Sequence, residues 1–125
     1  MAESAQEKLF QCLFPILNVV NVPDSLAYYI QTLGFKEDWS IGTMAQVSRD
    51  GFGIMLNQEE VVHPQEVWIG VRKLEPLHEE FLKSGVLFSQ EPQNHPWAYD
   101  MKVSDPDGHS LWFGAGPKDD QPFVE

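Results

Sequence analysis

Residues 99–104 alternate strictly between apolar and polar, with Tyr99, Met101 and Val103 set against Asp100, Lys102 and Ser104. A period of two is that of a strand with one buried face. Asp105-Pro106-Asp107-Gly108 follows, with proline to fix φ and glycine to accept a positive one. Residues 110–113 then resume extended structure, so 95–113 (HPWAYDMKVSDPDGHSLWF) reads as a hairpin. Toward the amino terminus, residues 9–20 hold Phe10, Leu13, Phe14, Ile16, Leu17, Val19 and Val20. They predict a buried strand, with Pro15 as an alternative starting point. Asn21 is placed to cap a helix whose face carries Leu26, Tyr29, Ile30 and Leu33 and whose stop is Gly34.

The pattern continues with strands at 35–40, 44–49 and 53–57, the last two joined by Asp50-Gly51, a strong hairpin signal. Residues 58–65 read as a linker. The order β, α, β, β, β then recurs: a strand at 66–71, a helix opened by Glu75-Pro76 with Leu77, Phe81 and Leu82 inward, and Gly85 as its stop. A strand at 86–89, a proline-broken loop at 91–96 and the 95–113 hairpin complete the second copy. Each copy alone leaves a sheet face uncovered, so the two must pack together. The expected fold is α+β, one domain with βαβββ modules at about 12–58 and 65–115 and an acidic tail at 116–125.

Composition narrows the partners. Eight Lys+Arg against nineteen Asp+Glu give a formal charge of −11, which repels nucleic-acid phosphates and anionic membranes. That acidity serves solubility, or it attracts a cationic small molecule. The single Cys12 forms no internal disulfide, has no base beside it in sequence, and is expected to be a small buried residue. No signal-peptide pattern and no membrane-length apolar run occurs, so a cytoplasmic location is expected. His63, His78, His95 and His109 lack metal-ligand spacing, and the helix puts His78 beside Glu79 and Glu80 in solvent.

Two stretches carry a family resemblance: NVPDSLAYYIQTLGF at 21–35 and VSDPDGHSLWFG at 103–114. Both resemble the glyoxalase / bleomycin-resistance / dioxygenase superfamily, also called vicinal oxygen chelate proteins. PWAYDMKVSDPDG at 96–108 resembles its bleomycin-resistance branch more closely. The resemblance implies two modules whose sheets curl around a cavity that often holds a divalent metal. The corresponding ligand positions fall at Phe14, Met55, Glu66 and Trp112, of which only Glu66 suits a hard cation. No metal, cofactor or catalytic residue is therefore expected, against lyase or dioxygenase chemistry. In place of ligands, alternation puts Glu66 and Trp68 on one face, Trp112 follows by the same parity, and Trp97 and Tyr99 stand nearby. With Trp39 at the dimer edge or over the cavity, these residues form an aromatic, acidic wall for a flat or cationic ligand.

The resemblance thus implies a homodimer that sequesters a small molecule without chemistry, as in antibiotic resistance. Plainer readings use the same residues, with Trp68 and Trp112 as core, Glu66 as a solvent-facing acid, and His109 in a turn role. Two further functions stay open on the sequence. One is a metal-dependent lyase or dioxygenase in which His63 or His95 meets Glu66, and the other is an accessory domain that fills the hollow itself.

Overall fold

The computed structural model describes residues 6–124. Strands β1 (Ile16–Val19), β2 (Lys36–Ser40), β3 (Met44–Arg49) and β4 (Phe52–Gln58), with helix α1 (Val22–Gln31), form the first module. Strands β5 (Glu66–Gly70), β6 (Leu87–Asn94), β7 (Tyr99–Ser104) and β8 (Ser110–Ala115), with helix α2 (Leu74–Ser84), form the second. The sheets have matching orders, β1-β4-β3-β2 and β5-β8-β7-β6, each with one parallel pair at its β1 or β5 edge. This α+β architecture is the one the repeated pattern predicts.

Local chemistry places the elements. The Asn21 side chain accepts the Asp24 N–H at 2.8 Å and so caps α1, with Pro23 in the first turn, where its missing N–H costs nothing. Asp50 and Gly51 both take positive φ, 54° and 86°, the geometry that matches a two-residue turn to strand twist. One core joins the modules. It draws Leu17, Val19, Ala45, Val47, Ile54 and Leu56 from one sheet, Met101, Val103, Leu111 and Phe113 from the other, and Tyr29, Leu33, Leu74 and Phe81 from around the helices.

Several expectations are corrected. On α2, Leu82 points to solvent rather than inward, while Leu77 and Phe81 do pack on the core; His78, expected in solvent, is half-buried against the Phe88 ring. Of the strand expected over 9–20 only Ile16–Val19 forms; Phe10 and Leu13 are almost fully exposed, because no described segment pairs with the chain there. Cys12 lies on this arm and is exposed rather than buried. The proline-broken loop at 91–96 is instead the continuation of β6 to Asn94. Its register shifts between Gln90 and Gln93, and the strand lies at the sheet edge, so Pro92 removes no ladder hydrogen bond. Residues 116–124 are docked by Asn94: its side-chain N–H groups donate to the carbonyls of Lys118 and Gln121, and its Oδ1 accepts the Lys118 N–H.

The modules are locked by the 105–108 turn. Asp105 Oδ1 accepts the Asp107 and His109 N–H groups, and its Oδ2 accepts the Tyr29 hydroxyl at 2.8 Å. Asp107 accepts the Val20 N–H and the Ser25 hydroxyl, just where α1 begins. The His109 ring is fully buried. Its Nδ1 accepts the Gln65 N–H at 2.9 Å, so the ring hydrogen on Nε2 donates to the Asn18 carbonyl at 2.7 Å. His109 does serve the turn, and it also spans from β8 to β1. At the far end Arg49 makes a two-pronged pair with Glu80 at 2.7 and 2.9 Å, tying β3 to α2.

His109→Phe keeps the ring volume but strands a buried N–H and a buried carbonyl. A loss of about 2–4 kcal/mol is expected in urea unfolding; a loss within measurement error would mean the ring acts by bulk alone. A second prediction concerns pH. Burial pushes the Asp105 carboxyl above its ordinary value near 3.8, against the opposing hydrogen bonds from Tyr29 and His109. Below that value both folded and unfolded chains hold the proton, and as pH rises the unfolded chain releases it first. Stability from this group is therefore greatest in acid and lost as pH rises through the raised folded value. Asp105→Asn removes the dependence, so the variant's stability relative to the parent should improve as pH is raised from about 4 and level off once the folded carboxyl has ionised. A difference that is flat or falls over that range contradicts the assignment.

Candidate functional site

Each sheet turns one face to the core and the other outward, and the outward face of the second module collects the aromatics. Strand pairing sets Glu66 opposite Ser110, Trp68 opposite Trp112, and Lys102 opposite Trp112 from the other side. Trp68 and Trp112 meet edge to face with centroids 5.0 Å apart. Trp97, from the β6–β7 turn, meets Trp112 edge to face at 5.7 Å and stacks flat on His95 at 4.6 Å. Edge-to-face contact sets the positive ring edge of one indole against the negative face of another, which favours this arrangement over a sandwich. Lys102 Nζ stands 4.6 Å above the Trp112 ring and 3.2 Å from Glu66, which also accepts the Ser110 hydroxyl.

The wall is open to solvent. Trp97 is 58% exposed and Trp68 49%, so the reading of Trp68 as a core residue does not hold. Trp112 is half-buried beneath its neighbours and Lys102. Glu66 is exposed, as the plainer reading had it, yet it stands on the tryptophan face.

Tyr99 departs from the expected wall, and Trp39 lies on the other sheet. Tyr99 has the parity of Met101 and Val103, so it faces the core side, where it packs against the core and lies beneath Lys118. Trp39 stands on the outward face of the first sheet, where its indole N–H donates to Gln46 at 3.2 Å. A bulge between Glu37 and Trp39 brings Asp38 to the same face, accepting from Gln46 and Ser48. Those two hydrogen bonds, Gln46 first, hold the exposed Asp38 carboxyl below its ordinary value, so it is an anion beside an indole.

Sequence reading missed two contributors. Gly114 lies directly under Trp68: a Cβ there would meet the indole at 2.0 Å, so only glycine lets the ring lie on the backbone. Asp100 is fully buried among the indoles and accepts from Trp112. The alternation of 99–104 had already put Asp100 on the polar face, and parity with Trp112 was the available signal.

The donors present do not fit a divalent metal centre. Glu66 is occupied by Lys102 and Ser110, His95 faces Asp100 rather than Glu66, and Phe14, Met55 and Trp112 offer no hard donor. Among the described residues no three His, Cys, Asp or Glu side chains gather to hold an ion. Also among them, no helix is long and apolar enough to cross a membrane.

This geometry can be set beside known proteins. The sequence profile of the Glyoxalase/Bleomycin resistance protein/Dioxygenase superfamily matches residues 9–113. The chain belongs to this superfamily. Among solved members of the fold, the bleomycin-binding protein from bleomycin-producing Streptomyces verticillus, complexed with copper(II)-bleomycin, is 26% identical. That similarity covers 88% of this chain and 99% of that one, with a TM-score of 0.74. An integron cassette protein from the mobile metagenome of the Halifax Harbour sewage outfall is 25% identical, covering 86% and 99%, with a TM-score of 0.75. TnmS3, an antibiotic-binding protein from Streptomyces sp. CB03234, shares the fold at 17% identity, covering 89% and 99%, with a TM-score of 0.73. No curated protein sequence matches this chain.

Within this superfamily member, Gly114→Ala should displace the Trp68 ring while costing the fold little, because a half-exposed indole can swing into solvent. The expected result is loss of the exciton band of the Trp68–Trp112 pair in circular dichroism, with stability changed by no more than about 1 kcal/mol. A retained exciton band would show that Trp68 does not depend on the bare backbone at Gly114.

Proposed function

We propose that this protein is a non-catalytic binding protein of the bleomycin-resistance type, which sequesters a planar aromatic or cationic small molecule in a cleft completed by a second copy. The observation that carries the reading is the solvent-open wall of Trp68, Trp97 and Trp112, beside which no metal-ligand set gathers among the described residues. Indole faces bind flat rings by dispersion and cations by their quadrupole. Asp38 beside Trp39 adds an anion that suits a positively charged group.

The two aromatic faces belong to different sheets, and one chain leaves both exposed. A second copy that laid its first sheet over the tryptophan wall would close a cleft with aromatics on both sides. The exposed apolar arm favours such pairing. Phe10 is 94% exposed and Leu13 83%, beside a groove of about 980 Å³ lined by Phe14, Phe52, Ile54, Ile69, Leu77 and Phe113. Exposed side chains beside an unfilled apolar groove are the expected state of a segment whose partner is another chain.

The test titrates thermal stability and sedimentation with metal-free bleomycin, copper(II)-bleomycin and divalent metals alone. A ligand bound only by the native state adds about 2.7 kcal/mol at a hundredfold excess over its dissociation constant. The expected result is a dimer whose melting temperature rises with the glycopeptide and not with metal. Stabilisation by metal alone would overturn this reading in favour of a metal-dependent enzyme. A monomer indifferent to every glycopeptide would overturn it as well.

A further inference from the structure

We infer that Asp100 is the positioning residue of the tryptophan wall: a single buried carboxylate that fixes the Trp112 indole directly and the Trp97 indole through His95. The inference rests on the binding reading above for its purpose, and on geometry alone for its substance. The Asp100 side chain is 1% exposed. Its Oδ2 accepts the Trp112 indole N–H at 2.9 Å, and its Oδ1 accepts the Gln90 amide at 2.7 Å and faces His95 Nε2 at 3.2 Å. His95 in turn stacks on Trp97 with an interplanar angle of 5°.

The loop between β6 and β7 is closed on both sides, His95 N–H to Ala98 carbonyl at 2.7 Å and Ala98 N–H to His95 carbonyl at 3.3 Å. The backbone thus sets where Trp97 leaves the chain, while the His95 ring, held by Asp100, gives the indole a flat surface to lie on. Burying a carboxylate costs several kcal/mol unless every oxygen is well used. Asp100 caps no helix and closes no turn, and its neighbours Met101 and Val103 pack the core without it. What its burial secures is the outward face: with Trp112 fixed at its N–H, the edges of Trp68 and Trp97 have one defined surface to meet. An aromatic wall held before the ligand arrives avoids the loss of rotamer freedom on binding.

Two readouts that need no ligand decide the matter: the indole N–H resonances in nitrogen-15 NMR, and quenching of tryptophan fluorescence by acrylamide. In Asp100→Ala, the Trp112 indole N–H should shift and exchange faster with solvent, and quenching should rise severalfold. Asp100→Asn, which keeps the volume but turns an N–H₂ toward a donor, should do the same in part. Should Asp100→Ala fail to fold, Asp100→Asn and His95→Phe carry the test. His95→Phe should preserve the Trp112 resonance and loosen Trp97 only if the chain of contacts is as drawn. Ser104→Ala, on the same strand face, should leave every indole unchanged.

With bleomycin as probe, loss of a hydrogen-bonded charge on this scale predicts affinity weaker by roughly 10- to 100-fold in Asp100→Ala. Unchanged indole resonances and quenching in the folded variants overturn the inference. So does weakened bleomycin binding with the indoles undisturbed, which would make Asp100 a direct contact. Failure of the parent protein to bind bleomycin refutes the binding role and leaves the NMR result to decide the positioning role by itself.

Discussion

Two modules of this size cannot stand apart, and the directional contact most of the junction runs through is one polar turn, with the Arg49–Glu80 pair at the far end. Asp105 closes its own turn through two backbone N–H groups and reaches across the module boundary to the Tyr29 hydroxyl. Burial, then the nearby Asp105 charge, drives the Tyr29 hydroxyl well above its ordinary pKa, and the same causes lift Tyr28 to about 12. Both therefore remain hydrogen-bond donors across the accessible pH range. His109 extends the junction to Asn18, and Asp107 to the start of α1, where a negative charge is favoured by the helix dipole. Hydrophobic packing in the shared core is larger in total, but it is non-directional. These bonds set the angle at which one sheet meets the other.

That angle decides what each sheet can do with its second face. The core faces of β3, β4, β7 and β8 are spent on joining the modules, which leaves the outward faces free to carry polar and aromatic groups. A tryptophan on an outward face brings a large apolar surface with one polar atom. In the second module the polar atom of Trp112 is satisfied by Asp100, so its ring is held in one orientation. In the first, Gln46 satisfies Trp39 and is itself held by Asp38. Both sheets thus answer the same problem, an indole N–H near the surface, with an acidic residue one or two bonds away. Two of the nineteen acidic residues, Asp38 and Asp100, serve this local need.

Much of this was legible in the residues. Alternation at 99–104, the Asn21 cap, the Asp50-Gly51 turn and the glycine stops all act through neighbours in sequence, so each could be read without knowing the fold. Parity carried Trp68 and Trp112 to one face for the same reason. The errors arose where the outcome depends on distant chain. Phe10 and Leu13 look like a core strand because apolar character does not say whether a pairing strand exists. Nearness in sequence sets Tyr99 beside the tryptophans, although its own alternation with Asp100 sends it to the other side. The bulge at Glu37–Trp39 and the docking of the tail by Asn94 leave no local signature, since both are settled by what the opposing segment offers.

The division between a locked core side and an outward aromatic side also bears on how such a fold can change its outward surface. Residues that hold the modules together, Asp105, His109 and Tyr29, direct their hydrogen bonds to β1, α1 and the chain just before β5 rather than to the indoles. Substitution on the wall therefore perturbs few of the bonds that set the sheet angle, and effects at separated sites tend to add. Asp100 stands apart from both, because it is as buried as the core yet lies under the wall and is bonded to it. A change there reaches the tryptophan face through indole orientation rather than through lost contact area. Shape on this surface is thus governed by a residue beneath it, while the fold remains the same.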